Sequence, residues 1–423
     1  MTYRDSLTES ISRRTFLRKA GLLGAATAVF SSVPALAAAK GRHTRANSLS
    51  SGLLNISIDH IIVDCQENRS FDHYYGFAPL VLANSYGVPP GYGQPGNRGT
   101  FITPYHFTSR STPDVGHSWT AMHKEYNGGK MDGFYRTDGN NCMGYYIDQD
   151  LPFYYSLFND STLCVNYFSS VMGPTYPNRF YLVSGTSGGI TTNGVYGYGV
   201  FDYPIILDLL ETAGITWKVY NTAWDSVPAG ESDNVFVFWK RWANDVRTRG
   251  TVTDYLNDLH NGTLPQVSFI IPSFTMGHDE HPPADIQVGM QIQQQLVTAL
   301  RSSSAWGSSV YFITYDESGG YFDHVRPPQL DAYGLGFRVP TWVISPFAKQ
   351  GHLEPTAYEH SSILKFIEKV FGLPTLASVN HRFDTSTPGG SNNEATIRKS
   401  KIGPPAPPRD GRTDIGDLTE CFI

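Results

Sequence analysis

The chain has 423 residues, of which 40 % are hydrophobic, 13 % aromatic and 17 % charged, a length that suffices for one large α/β domain or two modest ones. Its 32 basic and 38 acidic residues give a net charge of −6; setting aside residues 1–39, with five basic and two acidic groups, leaves −9. That balance argues against a general polyanion binder, and no nucleic-acid partner is expected.

In chain order, Ser12-Arg13-Arg14-Thr15-Phe16-Leu17 opens a twin-arginine pattern. A moderately apolar run from Ala20 to Val33 follows, then the small-residue stretch Pro34–Ala39 with an A-x-A cleavage point. The run is too short and too rich in Ala and Gly for a stable membrane span. Residues 1–39 therefore read as a twin-arginine signal peptide and 40–55 as a linker. The expected partner is the twin-arginine export machinery, and the expected location is periplasmic or secreted.

Strands are expected at Ile58–Cys65, Thr162–Asn166, Thr216–Tyr220, Gln266–Ile271, Ser309–Tyr315 and Thr341–Ser345, where apolar and β-branched residues run together. Helical spacing appears at Ile205–Ala213, Asp285–Leu300 and Ser361–Phe371. This alternation predicts an α/β fold, a central mostly parallel sheet with helices on both faces, over residues 56–383. The Gly/Pro/Tyr-rich stretches 85–105 and 190–204 read as long loops at the mouth of a site. Residues 384–423, with Pro404–Pro408 as a stiff spacer, read as an extended tail. The four cysteines, Cys65, Cys142, Cys164 and Cys421, have no C-x-x-C spacing, and one sequence does not give their pairing.

In such a sheet, ligands sit in the loops that follow the carboxyl ends of strands. The first strand runs into Glu67 and Asn68, hard oxygen donors suited to a divalent cation, although an acid–amide pair there is also a common helix cap. The strand Ser309–Tyr315 runs into Asp316 and Glu317, adjacent carboxylates whose repulsion a bound cation would remove. Thr175, in Gly173-Pro174-Thr175-Tyr176-Pro177-Asn178-Arg179, is a candidate nucleophile, because a hydroxyl attacks at neutral pH only when a base or metal stabilises its alkoxide. Arg179 could neutralise phosphate charge, and a helix starting near Tyr176 would aim backbone N–H groups at an anion. His117 and His281 lie in loops, where histidines are commonly just solvated. Here they are candidates for donating hydrogen bonds to phosphate oxygens or a proton to a leaving alcohol.

The blocks IDHIIVDCQENRSFDHYYG, DVGHSWTAMHKEYNGGKMDGFY, MGPTYPNRFYLVSGTSGG, HPPADIQVGMQ, ITYDESGGYFDHVRPP and GFRVPTWVISPF resemble, in order, the bacterial phosphoesterase family of phospholipases C and an acid phosphatase, within the alkaline-phosphatase superfamily. The resemblance implies an alkaline-phosphatase-like three-layer sandwich holding one divalent metal ion of unspecified identity. It implies metal ligation by Glu67, Asn68, Thr175, Asp316 and Glu317, with Thr175 as nucleophile. It also implies phosphate contacts from His117 and His281, and a supporting role for Asp323 and His324. The T-x-P-x-R spacing parallels the C/S-x-P-x-R of sulfatases, but without the Cys or Ser those enzymes oxidise. The implied activity is hydrolysis of phosphate esters, foremost as a phospholipase C on phospholipid headgroups. The alternatives are a broad acid phosphatase on monoesters and a non-catalytic, exported metal-binding protein. The longer phospholipases of the family carry β-rich modules after the catalytic domain, which this sequence, ending at Ile423, does not contain.

Overall fold

The computed structural model describes residues 56–194, 196–223, 233–383 and 403–423. The expected signal peptide (1–39) and linker (40–55), and residues 384–402 of the expected tail, lie outside the described residues. An eight-stranded sheet organises the rest. Its strands are β1 (His60–Gln66), β2 (Thr162–Cys164), β3 (Trp217–Asn221), β4 (Gly250–Thr251), β5 (Val267–Ile271), β6 (Ser309–Tyr315), β7 (Trp342–Ile344) and β8 (His352–Glu354). The helices that matter below are α1 (Phe71–Tyr75), α2 (Trp119–Tyr126), α3 (Thr175–Ser184), α4 (Ile206–Ala213), α5 (Val252–Asn261), α6 (Ile286–Arg301) and α7 (His360–Phe371).

The strand order is β8-β2-β7-β6-β1-β5-β3-β4. β7 pairs antiparallel with both its neighbours, and every other neighbouring pair is parallel, so one strand opposes the rest. This is the mostly parallel α/β sheet that the alternation of elements predicts. Every residue of β5 and β6 is buried, as expected for strands covered on both faces, whose sequences run apolar instead of alternating. β1 lies between β5 and β6, with Gln66 level with Tyr315. The segments after β1 and β6 therefore leave the sheet side by side.

The helices carry the usual apolar stripes. On α7, Ile363, Leu364, Phe366, Ile367 and Val370 are buried, each contributing about 1.5–3 kcal/mol by leaving water. α7 packs against α3, which is buried along its whole length. The expected strands and helices fall within a residue or two of the observed ones. β4 and β8 escape because two or three residues hold no periodicity, and α5 because only Tyr255 and Leu259 of its ten residues are buried.

Of the two expected long loops, 85–105 carries a small hairpin, Gln94–Pro95 against Phe101–Ile102. Residues 403–423 lie along the domain. Arg409 pairs with Asp331 at 2.8 Å, and the Phe422 ring stacks on Phe366 at 5.2 Å. Among the described residues, no helix is long and apolar enough to cross a membrane.

Candidate active site

Because β1 and β6 are in parallel register, Glu67-Asn68 and Asp316-Glu317 meet just beyond the sheet. The Asp316 N–H donates to the Gln66 carbonyl at 3.0 Å, and the Arg69 N–H to the Glu317 carbonyl at 3.1 Å. The Asp316 carboxylate accepts from the backbone N–H groups of Asn68 (3.2 Å) and Glu317 (2.7 Å). Two special backbone positions allow this crossing. Asn68 has φ +61°, and at Gly319 (φ +65°) a Cβ would stand 2.4 Å from the Asn68 carbonyl oxygen. A side chain at Gly319 would displace the turn that presents Asn68.

All four residues are fully buried. Both amide atoms of Asn68, Glu317 Oε1 and the Thr175 hydroxyl are buried with no hydrogen-bond partner among the described residues. Such atoms are rare in folded proteins and mark strain or a site for an ion or ligand. Burial, opposed by Arg179, pushes Asp316 up to about 6; burial and the charge of Asp316 push Glu317 well above the usual carboxylate range. Glu67, Asp233 and Asp279 add a further triad whose carboxylate oxygens lie within 4.8 Å of one another. Crowded buried carboxylates with unmet oxygens fit a hard divalent cation, whose charge would offset both the repulsion and the desolvation.

Thr175 is the first residue of α3, after Pro174. Asn178 fixes the turn that leads into it by accepting from the Val171 N–H at 2.9 Å and donating to the carbonyls of Gly173 (2.9 Å) and Pro174 (3.1 Å). One turn along the same face, Arg179 lies against Asp316 (3.3 Å) and Glu67 (3.4 Å). It also donates to the carbonyls of Cys65 (3.2 Å) and Asp233 (3.5 Å). Arg179, a candidate for neutralising a substrate phosphate, has its guanidinium buried here and against the carboxylates of Asp316 and Glu67.

A loop after β5 brings Asp279, Glu280 and His281 to the same edge. His281 Nε2 is 3.7 Å from Glu67, its N–H donates to the Asp279 carboxylate at 3.0 Å, and its Nδ1 lies 2.5 Å from the Pro282 carbonyl. The loop's conformation is held from behind. Glu280, at φ +66°, accepts from the hydroxyls of Tyr74 (2.6 Å), Tyr315 (2.9 Å) and Tyr154, while Arg69 donates to its carbonyl oxygen. From the opposite side, His117 is one-fifth exposed, with its ring 5.7 Å from that of His281. Ligand atoms of Asp114, His117 and His281 also lie within 4.8 Å of one another. The expected Glu67, Asn68, Asp316, Glu317, His281 and His117 are thus drawn to one strand edge, and Thr175 shares a helix face with the arginine that touches it.

Other residues at this edge escape sequence reasoning. Asp233 precedes a short helical turn with no flanking motif, and Asp279 lies two residues before His281 in the same loop. His360, pushed down to about 4 by burial, is neutral at pH 7. Its Nε2 meets the Asp316 carbonyl at 2.8 Å, and since a carbonyl only accepts, the Nε2–H tautomer is the one present.

Asp323 and His324, expected to support the site, belong to a separate buried cluster with Asp72 and Arg338. Arg338 pairs with Asp72 at 2.9 Å and Asp323 at 3.0 Å, and His324 Nδ1 meets Asp72 at 2.6 Å. These acids lie within 4.8 Å of each other, as in a metal site, but an arginine already occupies the position of the cation.

A model of the Phosphoesterase family matches residues 58–374. The non-hemolytic phospholipase C of Burkholderia pseudomallei is 32 % identical over 85 % of this chain and 61 % of its own length. Phospholipase C B of Mycobacterium tuberculosis is 32 % identical over 75 % of this chain and 74 % of its own, and the non-specific phospholipase C1 of Arabidopsis thaliana 30 % over 75 % and 67 %. The chain thus spans less than two thirds of the B. pseudomallei relative. Among solved structures, an alkaline-phosphatase superfamily protein from Vibrio parahaemolyticus aligns over 69 % of this chain and 74 % of its own, at 10 % identity and a TM-score of 0.34. With a family model spanning most of its length, the chain belongs to the Phosphoesterase family.

Proposed function

We propose that this chain hydrolyses phosphate esters, as a phospholipase C acting on phospholipid headgroups, with Thr175 as nucleophile. The observation that carries this reading is the set of buried, partnerless polar atoms of Asn68, Thr175 and Glu317. Glu67, Asn68, Thr175, Asp316 and Glu317 would hold one divalent cation, with Asp233 and Asp279 as further oxygen donors near Glu67. When bound, that ion supplies charge to stabilise the threonine alkoxide and the phosphoryl oxygens.

The chain's own groups supply the rest. Thr175 Oγ, its proton released to solvent, attacks phosphorus in line, the bond to the alcohol breaks, and protonated His281 delivers its proton to the departing oxygen. Water then attacks the phosphorus of the phospho-threonine, the P–Oγ bond breaks, neutral His281 takes a proton from the water, and Thr175 Oγ takes one back from solvent. His117 donates to a phosphate oxygen. Arg179 acts behind the carboxylates by holding Glu67 and Asp316 in place, and Glu280, clamped by three tyrosines, fixes the loop that carries His281. The twin-arginine pattern supports a periplasmic or secreted location.

The second reading is a broad phosphomonoesterase, which the same nucleophile and cation would serve. Turnover of p-nitrophenylphosphorylcholine against p-nitrophenyl phosphate separates them. The first reading expects the diester to be preferred in kcat/KM. A preference for the monoester would replace phospholipase C by acid phosphatase, and turnover of neither would remove both.

A further inference from the structure

Two of the four cysteines meet far from the site. Cys164 ends β2, and its Sγ lies 3.8 Å from that of Cys421, 257 positions later in the chain. Both thiols are completely buried. The contact is built by the backbone. The Cys421 carbonyl accepts from the Lys349 N–H at 2.9 Å and from the Thr162 hydroxyl at 3.3 Å, and that hydroxyl also donates to the Lys349 carbonyl at 2.7 Å. β2 and the segment carrying Cys421 therefore share one knot of hydrogen bonds, which holds the two sulfurs together. Tyr358 donates to Glu420 at 3.0 Å, and Phe422 stacks on Phe366, fixing the residues on either side. Cys65 and Cys142 instead contact backbone carbonyls, of Gln66 and Gly139.

We propose that Cys164 and Cys421 form a disulfide in an oxidising compartment, stapling residues 415–423 to β2. Forming the bond brings the two sulfurs from 3.8 Å to about 2.05 Å. With glutathione disulfide as oxidant, the Cys421 thiolate attacks one glutathione sulfur and releases one glutathione. The Cys164 thiolate then attacks Cys421 Sγ in the mixed disulfide and releases the second. The protein loses two electrons and two protons, and the oxidant becomes two thiols. Burial holds the Cys164 thiol well above its usual range, so reaction waits on lifting of the 415–423 segment or occurs during folding.

The test treats the full chain with glutathione disulfide, both native and refolding from urea, then alkylates under denaturing conditions for peptide mass analysis. We expect Cys65 and Cys142 to be alkylated and the Cys164 and Cys421 peptides to be joined, two hydrogens lighter than their sum. The thermal midpoint should rise by roughly 5 °C or more over the reduced protein. In Cys421→Ser, Cys164 should alkylate and the midpoint should ignore reductant. Four alkylated cysteines after both treatments, a bond to Cys65 or Cys142, or a reductant-sensitive midpoint in Cys421→Ser would overturn the proposal.

Discussion

Two buried acidic clusters in this fold solve the same electrostatic problem differently. Around Arg338, the carboxylates of Asp72 and Asp323 find their countercharge within the chain, and the guanidinium also donates to the Val165 carbonyl at 3.0 Å. At the ends of β1 and β6, Arg179 pairs with the carboxylates of Asp316 and Glu67, at 3.3 and 3.4 Å, while Glu317 Oε1, the Asn68 amide and the Thr175 hydroxyl stay unmet among the described residues. The first cluster is balanced by its own arginine, whereas the second keeps buried polar atoms without a partner among the described residues. A third answer appears at Glu368 and Asp410, neighbouring carboxyl groups with no ion pair to an arginine among the described residues. There, burial and the charge of Asp410 push Glu368 up to about 10, so it keeps its proton. Proximity of acids alone therefore does not mark a metal site, and neither does an unmet oxygen alone, since Glu368 Oε2 and Asp410 Oδ1 are also unpartnered among the described residues. What sets the β1–β6 edge apart is that an unmet carboxylate oxygen, a side-chain amide and a threonine hydroxyl all lie unpartnered there.

The largest expected effect lies at the cluster on the β1–β6 edge. Thr175→Val keeps the side chain's shape and removes the attacking oxygen, so kcat should fall by roughly 10³-fold or more while the circular dichroism spectrum is unchanged. Retention of more than about a tenth of wild-type kcat would remove Thr175 from the nucleophile's role.

At the cluster around Arg338 the opposite pattern is expected. Arg338→Met strands two buried carboxylates and should cost about 3–5 kcal/mol in urea unfolding, while kcat per folded molecule changes little. A collapse of kcat in the folded fraction would erase the distinction between the clusters.

His281→Ala sharpens the chemistry of the β1–β6 edge. Loss of a proton donor should slow an alkyl phosphoester by roughly 10²-fold and a nitrophenyl ester much less. An equal loss on both would make His281 a phosphate clamp, and no loss on either would remove it from the reaction.

The smallest effect belongs to the protonated pair. Because the folded-state pKa of Glu368 is raised, its contribution to stability is fully present below about pH 4.5 and is lost progressively as pH rises toward about 10. Glu368→Gln removes that loss, so its thermal midpoint should match wild type near pH 4 and exceed it at pH 8. A midpoint below wild type at pH 8 would contradict the assignment.

The parts of this arrangement legible in the sequence are those written locally. β6 is found to the residue as Ser309–Tyr315, because a buried central strand is one uninterrupted apolar run, and the acids that follow it are adjacent in sequence. Arg179 shows where local reading stops. Its type and spacing fit a phosphate, while its contacts with Asp316 and Glu67 arise only through space. Asp233, His360 and the tyrosine clamp on Glu280 are joined to the site only through space, across elements up to hundreds of residues apart, and no spacing rule encodes them. The division between the two acidic clusters is likewise invisible until Arg338 is seen lying between Asp72 and Asp323.

We propose above all that the edge formed by β1 and β6 is completed by a divalent cation on which turnover depends. The direct measurement is elemental analysis of the purified full chain, with activity followed before and after chelation and dialysis, and again on adding back single divalent metals. We predict about one equivalent of metal, joint loss of metal and activity on chelation, recovery with the native ion, and lowered occupancy and activity in both Glu67→Gln and Asp316→Asn. Full activity in wild-type protein whose metal content has been measured and found negligible would contradict it.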